Sequence, residues 1–249
     1  MGRQQIIELR TSNLSKAFSA RSKITQAVES VTLDVYKNEF LVILGPGQCG
    51  KSVLLNMISG QEKPTSGEIE FTNPQKKIGF VFQKTAVFDW KTVMENVEFA
   101  PMLRGVPKKE RREKAQYLIN LVGLTGFENS YPKELSGGMK QRVGIARAYA
   151  ADPDILIMDE PFGALDAQTR YQMEEEILRI WEMEKRTIIF VTNNIEEAVY
   201  LADRIILLSK CPASVKAVYD INIPKPRDYV DPEFLRIREE IQEQTDLPL

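Results

Sequence analysis

The glycine-rich stretch at residues 45–52 constrains most strongly how this chain can fold. Its eight residues fit the pattern G-x-x-x-x-G-K-[ST], with Lys51 and Ser52 in the last two positions. An apolar run at 40–44 comes directly before it, and a helical pattern at 51–59 begins within it. Such a pattern is typical of a strand that turns through a loop into a helix, the arrangement in which these residues bind phosphate.

Each residue type in this loop has a chemical use. Glycines let backbone N–H groups curl around phosphate oxygens, and the helix N-terminus adds its positive end. We expect Lys51 to pair with the β- and γ-phosphates of ATP and the Ser52 hydroxyl to bind Mg²⁺. The predicted nucleotide-binding residues of the loop are Gly45, Pro46, Gly47, Gln48, Cys49, Gly50, Lys51, Ser52 and Val53.

A second cluster of functional groups follows another apolar run, at 155–158, where Asp159 and Glu160 stand side by side. A buried strand has no structural use for two adjacent carboxylates, because buried charge is costly unless it is paired or bound to metal. We therefore predict that Asp159 binds magnesium, directly or through water, and that Glu160 polarises the attacking water. A pair of solvated loop acids is the alternative, and the phosphate loop makes it the weaker one.

Short apolar strands alternate with helical patterns along most of the chain, which predicts an α/β fold with a largely parallel sheet covered on both faces. The predicted strands are 40–44, 78–82, 155–158, 187–192 and 204–209, and the predicted helices include 51–59, 168–185, 195–202 and one near 233–244. Residues 6–35 alternate in the manner of antiparallel strands. The charged segment 93–129 carries only helical patterns, so we interpret it as an α-helical subdomain inserted in the core.

These patterns predict an ATPase domain over 1–210, with the helical subdomain at about 93–145, and a C-terminal extension over 211–249. The net charge of −2 gives no reason to expect a nucleic-acid partner. The chain has no long uncharged apolar stretch and no apolar region at residues 1–10, so we expect neither a membrane span nor a signal peptide. Histidine is absent, which excludes histidine acid–base chemistry within this chain.

The run LSGGM at 135–139, followed by a helical pattern, resembles the signature motif of ABC transporter ATPases. The order of motifs also resembles that family: phosphate loop, Gln83 as the Q-loop glutamine, signature, the acids at 159–160, then the D-loop at 164–166. The resemblance covers nearly the whole chain and implies a P-loop NTPase core with an N-terminal antiparallel part. It also implies that Gln83 contributes to the nucleotide and magnesium site.

The signature implies a dimer. Ser136, Gly137 and Gly138 precede a helix, where free N–H groups attract anions, and in this family they face the γ-phosphate held by another subunit. The structural alternative is that these residues form a helix cap with a flexible turn, and this alternative is compatible with γ-phosphate binding. Phe18 falls where the family places an aromatic residue that stacks on adenine, while a core position is its structural alternative.

Three further segments resemble the nitrate, sulfonate and taurine importer ATPases: PFGALD at 161–166, IEEAVYLADR at 195–204, and PRD with DPEF at 226–228 and 231–234. Such importers imply two transmembrane permease subunits, a second ATPase subunit, identical or paralogous, and an extracytoplasmic substrate-binding protein. They also imply a peripheral position on the cytoplasmic face of the inner membrane. The solute would be small and anionic, or contain nitrogen or sulfur.

Three residues depart from the family pattern, and one of them, Val53, replaces the second hydroxyl residue that is usual after Ser52, while the metal ligand itself is kept. Gln48 stands where glycine is usual, so a side chain constrains the backbone if a positive φ is required. Asn193 stands at the position of the family's switch histidine, a residue that reaches the γ-phosphate. The resemblance therefore implies that Asn193 is a catalytic residue, together with Lys51 and Glu160. Asparagine donates a hydrogen bond but carries no positive charge. One expectation is that ATP hydrolysis at this chain's own phosphate loop is slowed. The alternative is that the Asn193 amide donates the same hydrogen bond as the histidine, so that the substitution is tolerated.

Two other functions compete with an energising transporter subunit. A permease-free ABC ATPase usually carries two cassettes or long insertions, and this chain has neither. A regulatory or degenerate half of a heterodimeric transporter would bind ATP with weak turnover. Glu160 argues against that function and Asn193 argues for it.

Overall fold

The computed structural model describes residues 6–20, 23–83 and 86–245. Residues 1–5, part of the terminus for which we expect no signal peptide, and residues 246–249 of the predicted C-terminal extension lie outside the described residues. The described residues up to Lys76 and those from Arg186 onward form one compact unit, called here the first unit. Lys77–Lys185 form the second unit. The predicted domain limits at 93, 145 and 210 stay predictions.

The N-terminal part of the first unit is a three-stranded antiparallel sheet. Its strands are β1 (Ile7–Ala20), β2 (Lys23–Tyr36) and β4 (Ser66–Phe71), in the order β2-β1-β4. The two long strands confirm the antiparallel pairing predicted for 6–35. The third strand was not predicted, because its side chains are mostly exposed and show no apolar pattern.

The first unit also contains parallel strands β3 (Phe40–Leu44), β7 (Thr187–Thr192) and β8 (Arg204–Leu208), with β3 in the middle. Every residue of β3 and β7 is buried, as the continuous apolar runs predict for strands covered on both faces. The strand β9 (Val215–Asp220) pairs antiparallel with β8, so this sheet is mixed.

Three helices belong to the first unit: α1 (Lys51–Ile58), α7 (Ile195–Leu201) and α8 (Pro232–Glu243). Each lies where the sequence predicted a helix, within two residues at each end. The start of α8 has a clear local cause, because the Asp231 carboxylate accepts hydrogen bonds from the N–H groups of Glu233 and Phe234 at 2.8 and 3.2 Å.

The second unit contains the parallel pair β5 (Ile78–Val81) and β6 (Ile155–Asp159). Its helices are α2 (Val93–Val97), α3 (Phe99–Leu103), α4 (Lys108–Leu121), α5 (Gly137–Ala150) and α6 (Ala167–Met183), with a short 3₁₀ helix at Pro132–Glu134. The segment 93–129 is helical as predicted but divided into three helices, the first of which begins at the capping residue Thr92. Within the described ranges, no helix is both long and apolar enough to cross a membrane.

Candidate nucleotide-binding and hydrolysis site

The phosphate loop lies in the first unit between β3 and α1, as predicted from its flanking patterns. Lys51 is 4% exposed, and its ammonium donates to the carbonyl oxygens of Gly45 and Pro46, both at 2.8 Å. The helix that follows has Gly50 at its N-cap, and no side chain caps it there. Backbone donors at the start of α1 are thus available to an anion beside a lysine that the loop already holds.

Two residues of this loop have left-handed backbone conformations. Gly50 has a φ of 120°, and a Cβ at that position would meet the carbonyl oxygen of Ala27 and lie 3.1 Å from the Cβ of Ala213. Gln48 has a φ of 60°, so this position does require the conformation that glycine adopts most easily. The loop therefore keeps the turn expected of the motif, with a strained residue in place of glycine.

Asn193 follows β7, next to the strand that leads into the phosphate loop. The loop's first amide, that of Gly45, donates to the Thr192 carbonyl oxygen at 3.3 Å, and the Asn194 amide donates to the Thr192 hydroxyl at 2.9 Å. The Asn194 side chain caps α7 by accepting from the Glu197 amide at 3.0 Å, while Asn193 is exposed. Thr192 thus ties the loop to the segment that carries the predicted switch residue, and no local pattern in the sequence marks this link.

Phe18 is 40% exposed near the end of β1, so the alternative of a buried core phenylalanine is not what the structure shows. The ammonium of Lys16 lies 5.0 Å from its ring centroid and pairs with Glu62 at 2.6 Å. The hydroxyl of Thr65 accepts a hydrogen bond from the Ala17 amide at 3.0 Å. These contacts hold the end of β1 in place and leave an aromatic surface on which a base can stack.

In the second unit, the predicted Q-loop glutamine and the predicted catalytic acid are in contact. The Gln83 side-chain amide donates to a Glu160 carboxylate oxygen at 3.2 Å. Glu160 has a φ of 41°, a left-handed conformation that is uncommon for a residue with a side chain, directly after β6. Its carbonyl accepts from the Gly163 amide at 3.1 Å, which closes the turn. Strain of this kind clusters at functional sites, which suits a catalytic role for Glu160.

The signature begins a long helix with its N-terminus open to solvent. Ser136 is the N-cap of the 14-residue α5 and accepts from the Met139 amide at 3.3 Å, so the capping alternative is correct as local structure. Ser136 and Gly137 are exposed, whereas the neighbouring Leu135 is 7% exposed and anchors the turn. A helix N-terminus in this setting attracts anions.

The donor types suit ATP and magnesium. Gly47 lies open, with nothing within 4 Å of a Cβ built there, and the Ser52 hydroxyl is exposed in the first turn of α1. Ser52, Gln83 and Asp159 offer a hydroxyl, an amide oxygen and a carboxylate, the oxygen ligands that magnesium prefers. Because the Gln83 nitrogen is already bonded to Glu160, its amide oxygen is the atom suited to a metal. Across the described residues, no three His, Cys, Asp or Glu side chains gather as a metal cluster of their own.

The strand–loop–helix phosphate site, together with carboxylates at the end of a second parallel strand, defines a P-loop nucleotide-binding ATPase. The chain matches the ABC transporter family over residues 28–163 and belongs to that family. It is an ATP-binding cassette subunit of a transporter with ATPase activity, and cassettes of this family work as dimers with transmembrane permease partners.

Similar proteins cover nearly the full length of the chain. An uncharacterized ABC transporter ATP-binding protein of Methanocaldococcus jannaschii is 46% identical over 240 residues, covering 94% of this chain and 90% of that protein. The aliphatic sulfonates import ATP-binding protein SsuB of Bacillus cereus is 43% identical over 236 residues, covering 93% of each. Among solved structures, the dimeric bacterial ABC transporter cassette MJ0796 superimposes with a TM-score of 0.75 at 32% identity, covering 87% of this chain and all of that one. A second structure of that cassette holds ADP and Pi after hydrolysis.

Proposed function

We propose that this cassette energises the import of a small anionic solute, or one containing nitrogen or sulfur. The observation that carries the proposal is the 43% identity to a sulfonate import ATP-binding protein over 93% of both chains. The segments 161–166, 195–204, 226–228 and 231–234, which resemble nitrate, sulfonate and taurine importers, support it. An extracytoplasmic substrate-binding protein and a place on the cytoplasmic face of the membrane belong to the same proposal.

The residues of the two units act in separate roles in this proposal. Lys51 and the amides that begin α1 bind the β- and γ-phosphates, and Phe18 stacks on the adenine. Glu160 orients and polarises the attacking water, while Gln83 fixes its carboxylate through the 3.2 Å hydrogen bond. Ser52, Gln83 and Asp159 hold magnesium, which when bound neutralises charge on the phosphates. Ser136, Gly137 and Gly138 face the γ-phosphate of the partner subunit.

The test separates ATP binding from turnover. Lys51→Ala removes the cation held within the loop and should abolish ATP affinity, whereas Lys37→Ala, an exposed lysine, should not. Glu160→Gln should keep ATP binding and stabilise an ATP-bound dimer, while phosphate release falls by about 100-fold or more because the water loses its base. The exposed Glu182→Gln serves as control. Turnover in Glu160→Gln equal to that of the wild type would contradict the assignment.

The second unit carries the surface proposed to contact the permease. The Q-loop match at Gln83 and the helical segment 93–129 motivate this surface. Exposed apolar side chains in or near these segments include Phe82, Trp90 and Leu103, at 43, 73 and 70%. In a Cys211→Ser background, Leu103→Cys should cross-link to the permease in the assembled transporter. Val230→Cys, similarly exposed at 73%, lies in the C-terminal segment and should not cross-link. Cross-linking only from position 230 would refute the proposed surface.

A second candidate is a cassette with weak turnover in a heterodimeric transporter. Asn193, exposed beside Thr192, is the observation that favours it. In such a pair, the site that uses this chain's signature would be fast, and the site that uses its Lys51 would be slow. ATP hydrolysis rates would distinguish the fast site from the slow one. They would be measured once with the partner's catalytic acid replaced and once with Glu160 of this chain replaced.

A further inference from the structure

The chain has two cysteines, and both belong to the first unit. Cys49 lies inside the phosphate loop and is 1% exposed. Cys211 lies in the turn between β8 and β9 and is exposed. Both are free thiols, and neither has a part in the roles proposed above beyond the backbone that Cys49 contributes to the loop.

The segment 208–213, which carries Cys211, contacts the loop on both sides of Cys49. On one side, a Cβ built at Gly45 would lie 3.0 Å from the Cys49 sulfur and 3.2 Å from the Cβ of Leu208. On the other side, a Cβ at Gly50 would lie 3.1 Å from the Cβ of Ala213. The two cysteines are therefore on neighbouring stretches of chain.

Strand β2 fixes this turn against the loop. The Cys211 thiol reaches the Gln26 carbonyl oxygen at 3.4 Å, and the Ala213 amide donates to the Ala27 carbonyl at 2.9 Å. The same Ala27 carbonyl faces Gly50. A disulfide between these cysteines requires their Cα atoms to come within about 7 Å, and the packed turn on which Cys211 lies is the segment that would supply this approach.

We propose that Cys49 and Cys211 form an intrachain disulfide under oxidation, and that this disulfide switches off nucleotide binding at the phosphate loop. The inference deepens the proposed function by adding a regulation of the same site, and it rests on that function.

The chemistry needs hydrogen peroxide as oxidant. The exposed Cys211 thiolate attacks one peroxide oxygen, so that an S–O bond forms, the O–O bond breaks and water leaves after protonation. The Cys49 sulfur then attacks the Cys211 sulfenic acid; the S–S bond forms, hydroxide leaves, and the proton lost by Cys49 converts it to water. Two thiols and one peroxide give one disulfide and two waters. Burial raises the pKa of the Cys49 thiol, which makes Cys211 the thiol that reacts first.

The consequence for the loop follows from its hydrogen bonds. The Cys49 amide donates to the Pro46 carbonyl at 3.3 Å, and the same carbonyl accepts from the Lys51 ammonium at 2.8 Å. Drawing the Cys49 sulfur toward the surface turn displaces this peptide and the lysine bound to it. Phosphate binding depends on the direction of these groups, so the oxidised loop should bind ATP poorly.

The experiment uses the full chain treated with hydrogen peroxide and a fluorescent trinitrophenyl analogue of ATP as the probe. We expect a peptide that joins Cys49 to Cys211 in non-reducing mass mapping, a loss of analogue affinity of about tenfold or more, and full recovery with dithiothreitol. Cys211→Ser should bind the analogue as the reduced wild type does, and peroxide should leave its affinity unchanged.

Three results would overturn the switch: thiols that remain unpaired or pair between chains, a mapped disulfide that leaves affinity unchanged, and a Cys211→Ser variant that loses affinity like the wild type. Reduced wild type that fails to bind the analogue would instead contradict the proposed function, and the inference with it.

Discussion

At the scale of single residues, each of the two units has a predicted site residue that carries a side chain and yet adopts a left-handed backbone conformation. Gln48 and Glu160 have φ values of 60° and 41°. A left-handed conformation costs a residue with a Cβ about 1–2 kcal/mol, and such a cost persists where the surrounding structure imposes it. Glu160 also keeps its hydrogen bond to Gln83, so its carboxylate and its backbone are both held.

Asn193 is the residue whose replacement tests the site most directly. We expect Asn193→His to raise the ATPase rate of the assembled transporter by about tenfold or more, because one donor lost at a developing charge costs roughly ten- to a thousand-fold. The ATP affinity should change little, since Lys51 and the loop amides make most contacts. Steady-state phosphate release, measured with and without the substitution, gives the answer.

A matched control introduces histidine at the exposed Asn129 and should leave the rate unchanged. If Asn193→His also leaves the rate unchanged, the asparagine amide already does the work of the histidine. The weakened-site hypothesis, and with it the slow half of a heterodimer, would then be abandoned.

At the scale of elements, two residues in the importer-like segments stabilise helix ends. Arg227 is 6% exposed, and its guanidinium donates to the carbonyl oxygens of Val199 and Tyr200 at 2.6 and 3.0 Å, at the end of α7. Asp231 caps the start of α8, whose Phe234 is fully buried. In the sequence, these residues are recognised only through the resemblance to importer ATPases. The structure shows that they stabilise the end of α7 and the start of α8.

Arg227→Met should destabilise the protein by about 3 kcal/mol, because it leaves buried helix-end carbonyls without donors. Burial lowers the pKa of Arg227 to about 10, so the guanidinium stays charged at neutral pH and those bonds are charge-assisted. The control is Arg236→Met, which removes an exposed side chain with ion pairs to Glu233 and Glu240 and should cost much less, because solvent screens such pairs. Urea unfolding of both variants measures the difference, and equal losses would contradict the capping role.

At the scale of the whole molecule, a buried carboxylate makes stability depend on pH. Glu39 is 8% exposed, and burial raises its pKa from 4.5 to about 7, although Arg204 lies 3.1 Å away. The folded state therefore holds this proton more tightly than the unfolded chain does. The stabilisation is complete below about pH 4.5 and is lost as the pH rises toward 7.

We expect the free energy of unfolding of Glu39→Gln, compared with that of the wild type, to rise between pH 5 and 7 by on the order of 2 kcal/mol. The quantity to compare is the slope of the unfolding free energy against pH, because replacing the partner of Arg204 also changes the absolute stability. Denaturant unfolding at several pH values tests this, with the exposed Glu68→Gln as control. Parallel curves for Glu39→Gln and the wild type would contradict the assignment.

Most of the fold was predictable because its buried strands are continuous apolar runs. The predicted strands at 40–44 and 187–192 match β3 and β7 residue for residue. The unpredicted β4 and β9 have exposed or alternating side chains, and both exist because a neighbouring strand offers backbone partners. Such edge strands carry little pattern of their own, since pairing rather than burial defines them.

The sequence by itself determined the phosphate loop, the carboxylates at 159–160, the signature and hence the family, because each depends on residue types at short, fixed spacing. Only the tertiary structure decided that Gln83 bonds to Glu160, 77 residues away, and that the turn at Cys211 packs on the loop at Gly45 and Gly50. Local spacing specifies a loop and the groups it presents. Contacts between distant segments follow from the sum of packing and backbone pairing, to which no single stretch of sequence corresponds.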